Sequence, residues 1–323
     1  MTTEQPAPLL DLLATLDLEE LGSARVSVQP LSTAGELAGD APVPLPETFA
    51  EDITLFRGQS QKQPHGRVFG GQVLAQGVIA SGRTVRAVEG QEHRRLHSLH
   101  AYFMRPGDDT QPITFSVERM RDGRSFSTRR VHAVQHGKPI LSMSCSFQEP
   151  DGGLDHQDPS PGAPDPTTVP SLAEVFAGID HPAARHMAEG RAIDQRHVEG
   201  NLFVTPATDE VADQRVWMRA TGRLPDDPLV HDAVLAYASD YSLLESVLRR
   251  HGRTWTAKGL RVASLDHAMW FHRPARADEW ILYAQHSPSA TGGRGLGIGR
   301  MFTADGTMVA TVAQEGMVRL PDA

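Results

Sequence analysis

Asp240, Ser264 and Gln314 are polar residues in settings that otherwise read as apolar. Asp240 lies in "AYASDYSLLES", where helical spacing surrounds it with Ala236, Tyr237, Leu243 and Leu244. Aspartate is a poor residue for a helix interior and an expensive one to bury as an anion. Two readings follow. Either the chain restarts here, with Ser242 to Glu245 forming a capping box. Or the carboxylate is held in a cleft, where desolvation raises its pKa from about 3.9 toward that of a useful base. Gln314 closes a row of Met308, Ala310 and Val312 that period-two alternation places on one strand face. A core amide with all its bonds satisfied would also explain it. Ser264, in "VASLDHAMW", shares a face with Asp266 by the same alternation, and a strand serine is usually filler. If the three converge, a carboxylate, a hydroxyl and an amide can together hold and deprotonate one water.

The elements that would position them occur twice. "SLHAYFMRP", ending at Pro106, and "SLDHAMWFHRP", ending at Pro274, lie 168 residues apart, and the turns at Gly137 and Gly306 lie 169 apart. Each half contains one long helix and several strands joined by tight turns. In the first half "GGQVLAQGVIA" is apolar nearly all round and rich in Gly and Ala, so it must be buried. An antiparallel sheet curled around a buried helix is the hot-dog arrangement, an α+β fold, and two in tandem make a fused pseudo-dimer. The boundaries read as follows: an amphipathic helix over 1–22, a flexible insertion over 23–50, the first hot-dog unit over 51–149, a Pro-rich linker with a connecting helix over 150–190, and the second unit over 191–320. Chemistry retained in one copy should appear as divergence between them. The counterpart of Gln314 is Cys145, and that of Asp240, near Ile79, is apolar.

Composition excludes several classes. A net charge of -9 and a pI near 5.9 oppose a nucleic-acid-binding surface. One cysteine rules out an internal disulfide and a cysteine-rich metal site. No run of eighteen apolar residues predicts a membrane span, and the acidic N-terminus lacks a leader pattern, so a cytoplasmic protein is expected. No G-x-S-x-G elbow occurs. "GGRGLGIGR" misses dinucleotide spacing, and its alternate glycines suit close backbone approach. His93, His97 and His100 lack the companions of a metal site, and none is expected. Arg121, Arg124, Arg129 and Arg130 read either as a solvated face or as a receptor for nucleotide phosphates.

The segments "RVFGGQVLAQ", "LHSLHAYFMRPGD", "RDGRSFSTRRV", "SLDHAMWFHRP", "DEWILY" and "VATVAQEGMVR" closely resemble the type II, TesB-like acyl-CoA thioesterases. The likeness runs from Phe56 to Arg319 and takes in the N-terminal Leu-rich helix. It implies a double hot-dog fold, hydrolysis of acyl-CoA to fatty acid and CoA, no cofactor, and a triad of Asp, Thr or Ser, and Gln. Matched by motif, these are Asp240, Ser264 and Gln314. Backbone N–H groups at Gly70 and Gly71 are candidates for the oxyanion site, and His97 and Arg124 for substrate binding. A homodimer or homotetramer is expected by analogy. The rival readings are a hot-dog enoyl-CoA hydratase, for which His267 beside Asp266 is the local candidate, and a non-catalytic acyl-CoA-binding protein.

Overall fold

The computed structural model describes residues 5–28, 49–208 and 211–320. Helix α1 (Ala7–Leu16) leads into β1 (Glu19–Val28) and β2 (Phe49–Gly58). Helix α2 (Gly70–Arg86) follows, then β3 (Arg95–Phe103), β4 (Ile113–Asp122), β5 (Phe126–Gln135) and β6 (Lys138–Gln148). The connecting stretch carries α3 (Leu172–Val175) and α4 (Pro182–Glu189). The second unit comprises β7 (Ile193–His197), β8 (Asp213–Ala220), α5 (Pro228–Ser239), α6 (Glu245–Arg250), β9 (Arg261–Ser264) and β10 (Asp266–Phe271). It closes with β11 (Ile281–Thr291), β12 (Arg294–Thr303) and β13 (Met308–Arg319).

The strands form one antiparallel sheet in the order β1-β2-β4-β5-β6-β3-β10-β13-β12-β11-β8-β7, with β9 paired to β13. Its halves meet at β3 and β10, the two copies of the repeated motif. Ser98 lies opposite Trp270, His100 opposite Ala268 and Tyr102 opposite Asp266. The 168-residue offset equates His100 with Ala268 and exchanges the other two pairs, so the motif pairs with its own copy. That is the seam of a tandem hot-dog.

Helix α2 is buried from Gly71 to Val85 apart from Arg83. It packs on β2 to β6 and against α5. The two helices approach closely because glycine sits at both crossings. A Cβ on Gly71 would lie 2.3 Å from the Tyr237 carbonyl oxygen, and one on Gly82 2.5 Å from Leu229. The buried polar groups of α2 are satisfied: Gln72 accepts from the Gln61 N–H, and Gln76 donates to the carbonyls of Thr15 and Gln59. On β12, Gly295, Gly297 and Gly299 face Val247, the Leu243 carbonyl and the Tyr283 ring, the close approach expected of "GGRGLGIGR".

Several boundaries differ from the sequence reading. The N-terminal helix ends at Leu16, and β1 begins at Glu19. Residues 23–28 and 49–50, assigned to a flexible insertion, belong to the β1–β2 ladder, with Val28 opposite Phe49; 29–48 lie outside the described residues. The β-branched alternation in "SARVSV" is a strand signal diluted by the Pro- and Gly-rich stretch after it. The connecting helix is two short helices. The linker is extended and tied to the second unit: Asp155 pairs with Arg273, Asp158 with Arg300, and Trp217 Nε1 donates to the Pro164 carbonyl. The expected single helix through Asp240 is broken there into α5 and α6.

Candidate active site

Asp240 is the C-cap of α5. No capping box forms after it: α6 begins at Glu245, its N-cap Leu244 offers no side-chain cap, and Ser242 Oγ instead accepts from Gln285. The Asp240 carboxylate accepts from Gln314 Nε2 at 2.7 Å, from Ser264 Oγ at 3.3 Å and from the Gly71 backbone N–H. Burial pushes its pKa up to about 6, against the lowering effect of the Gln314, Gly71 and Ser264 bonds. Gly70 and Gly71 open α2, so the positive end of that helix faces the carboxylate. A Cβ on Gly70 would fall 2.6 Å from Asp240 Oδ2.

Ser264 reaches this cluster through a β-bulge. Along β13 the partners run from Gly316 opposite Ser264 to Ala313 opposite Ala268, so three residues on one side face two on the other. The extra residue breaks the alternation that placed Ser264 with Asp266. Ser264 and His267 consequently flank Gln314 on the same face, while Asp266 turns to accept the Glu315 N–H at 2.9 Å. Gln314 Nε2 donates to Ser264 Oγ at 2.6 Å, closing the triangle with Asp240.

His267 is fully enclosed and completes the set, a role the sequence reading missed. Its Nδ1 lies 3.2 Å from Gln314 Oε1 and its Nε2 2.9 Å from Ser239 Oγ. Burial pushes its pKa down to about 4, so the ring is neutral at neutral pH. Both amide hydrogens of Gln314 are directed at Asp240 and Ser264, which leaves Oε1 to accept. The single ring proton therefore belongs on Nδ1, and Nε2 lies against Ser239 Oγ, which also bonds the Ala236 carbonyl at 2.8 Å. The Nδ1 proton of His267 fixes which way the amide points. The available signal was the inward period shared with Met269, which puts His267 beside the row ending in Gln314.

Asp240 and Ser264 open onto a cavity of about 1160 Å³. Gln314 lies behind them, 1% exposed, and is not part of the cavity wall. Val68, Phe69, Phe103, Phe176, Phe203 and Trp255 are among its apolar lining, drawn from both units and the connecting stretch. Phe69 stacks on Tyr241 at 4.5 Å.

Two family models cover most of the chain. The one described as acyl-CoA thioesterase N-terminal domain matches residues 59–148, and the one described as acyl-CoA thioesterase matches 187–317. Acyl-CoA thioesterase 2 of Haemophilus influenzae is 38% identical over 84% of this chain and 94% of its own length. The chain belongs to the acyl-CoA thioesterase family. Human acyl-coenzyme A thioesterase 8 is also 38% identical, over 83% of this chain and 86% of that relative. Among solved structures, acyl-CoA thioesterase II TesB2 from Mycobacterium marinum is 44% identical with a TM-score of 0.66, covering 83% of this chain and 93% of that one.

In this thioesterase the other sequence candidates separate. Gly70 is on the cavity wall, and Gly71 contacts Asp240. His97 and Arg124 are not among the lining residues. His97 bonds Ser146 Oγ at 2.8 Å, and Arg124, exposed at the β4–β5 turn, offers its carbonyl to Arg94. The basic cluster divides: Arg129 is fully buried and bonds Thr84 and Asp122, Arg130 pairs with Glu118, and Arg121 is exposed like Arg124. The first unit has apolar or weakly polar counterparts of Ser264, His267 and Gln314. Leu96, Leu99 and Cys145 are all buried, Ser81 bonds Cys145, and the register of β3 on β6 shifts between Leu96 and Ser98.

Proposed function

We propose that the chain hydrolyses acyl-CoA thioesters to a free acid and CoA, using a water activated by Asp240 with Ser264 and Gln314 in support. The observation that carries this reading is the bonded triangle of these residues on the cavity, with a carboxyl whose pKa lies near 6. A water entering from the cavity donates to Asp240 and bonds Ser264 Oγ. Gln314 holds both groups from behind, a change from the expectation that its amide would itself grip the water. The water oxygen attacks the thioester carbonyl as its proton passes to Asp240. The oxyanion accepts from the Gly70 N–H in the first turn of α2, where the helix dipole favours negative charge. Collapse expels the thiolate, which takes the proton from Asp240, giving thiol and acid.

Geometry disfavours the hydratase reading. His267 is enclosed between Ser239 and Gln314, Asp266 is engaged with the Glu315 backbone, and neither lines the cavity. The test follows free thiol released from acyl-CoAs of several chain lengths by the wild type and by Asp240→Asn. Release by the wild type with a loss of at least about 100-fold in the variant is expected. Full activity in Asp240→Asn, or an acylated side chain trapped during turnover, would overturn the mechanism. Binding without release would leave a non-catalytic acyl-CoA-binding protein.

A further inference from the structure

The cavity wall carries an unusual charge balance. It includes Arg67, Arg105 and Arg191 with His65, His181 and His186, and among the described residues its one carboxylate is Asp240. Among the described residues none of these three arginines has a carboxylate within ion-pair distance, whereas Arg86, Arg129, Arg215 and Arg276 all do. This occurs in a chain whose net charge is -9. Acidic residues thus outnumber basic ones in the chain, while the described residues of this wall show the reverse balance.

Arg191 is the most telling member. Its guanidinium lies 4.4 Å above the Tyr241 ring, next in sequence to Asp240. One amino group is spent on Gln195 and another on the Met187 sulfur, while its buried Nε has no partner. His186 belongs to the same neighbourhood: burial, then the charges of Arg191 and His65, hold its pKa below the usual imidazole value. Arg67, Arg105 and His65 lie on exposed loops at the rim. Positive charge therefore extends from one side chain beyond the proposed base out to solvent, on three separate segments.

We propose that Arg67, Arg105 and Arg191, with His65 and His186 between them, seat the phosphate groups of the substrate's nucleotide end. A fatty acid offers a single carboxylate and an unphosphorylated thioester no anion at all, whereas several phosphates can answer all three guanidinium groups. This inference rests on the acyl-CoA reading and deepens it: the wall selects thioesters of a phosphorylated carrier over thioesters in general.

The experiment compares kcat/KM for an acyl-CoA with that for the same acyl group on N-acetylcysteamine, which lacks phosphate. It uses wild type, Arg67→Gln, Arg105→Gln, Arg191→Gln and the triple variant, with circular dichroism to check folding. The ratio between the substrates should fall about tenfold per arginine removed. In the wild type alone, raising NaCl from about 0.05 to about 0.5 M should increase KM for the acyl-CoA and leave that for the phosphate-free ester unchanged. A ratio insensitive to all substitutions, or equal salt responses, would overturn the phosphate seat. If the wild type hydrolyses neither ester, the activity reading fails instead. Calorimetry with free CoA then decides the seat by itself, since the triple variant must bind CoA more weakly for it to stand.

Discussion

At the scale of the residue, the site stores free energy in a buried carboxyl. Burial raises the Asp240 pKa from 3.8 to about 6, so ionising it in the folded state disfavours folding. The penalty is absent below about pH 4, where folded and unfolded carboxyls are both protonated, and grows as pH rises through 6. Asp240→Asn removes the charge at the loss of one acceptor oxygen for the Gly71, Ser264 and Gln314 donors. Its stability relative to the wild type should therefore rise by about 2 kcal/mol between pH 4 and pH 8. Denaturant unfolding of both proteins across pH checks this, and a constant difference would show that Asp240 titrates normally. Activity has the opposite sign. As a base Asp240 must be ionised, so kcat/KM should rise about tenfold per pH unit below 6 and level off above it. His267 has a positioning role. His267→Leu strands Gln314 Oε1 without a donor, at about 1–3 kcal/mol, and should lower kcat by about 10- to 100-fold with little change in KM. Asn at the same position can restore one donor and should recover part of the loss; no difference between Leu and Asn would reduce His267 to packing.

At the scale of the element, one-residue irregularities do the placing. Helix α5 stops at Asp240, and the bulge after Ser264 brings two non-alternate side chains to one face. The helix break was one of two readings open at Asp240, although the capping box offered with it does not form; the bulge was not legible, since periodicity treats the strand as unbroken. Both arise because the packed sheet and helix dictate where a side chain can point, overriding the local repeat. The crossing of α2 on α5 is equally demanding. Gly71→Ala would place a methyl against the Tyr237 carbonyl, one turn before Asp240. Backbone must shift, so a destabilisation of about 2–3 kcal/mol is expected, together with a fall in kcat because the Gly71 N–H leaves Asp240. Thermal unfolding and steady-state rates measure the two effects; an unaltered melting curve would show that the helices can separate freely.

At the scale of the whole molecule, two similar units share one sheet and differ in chemistry. The first unit keeps a matching register shift but fills the equivalent place with Leu96, Leu99 and Cys145, whose thiol is pushed up to about 12 by burial. A buried thiol with that pKa is no base at neutral pH. The proposed site then occurs once per chain, and calorimetry with a non-hydrolysable thioether analogue of an acyl-CoA should give one equivalent bound per chain; two would restore function to the first unit.

By itself, the sequence determined the duplication, the buried small-residue helix, the Pro-rich division and the three polar residues that interrupt apolar patterns. Each is a property of composition or spacing, which local chemistry imposes wherever the chain folds. Only the tertiary structure decided that β1 joins the sheet, that His97 and Arg124 stand away from the cavity, and that His267 stands behind Gln314. It also gathered Arg67, Arg105 and Arg191 onto one wall from segments far apart in the chain. Convergence of this kind depends on how helices and strands pack across a shared core, and no periodicity in a linear chain encodes the distance between two remote side chains.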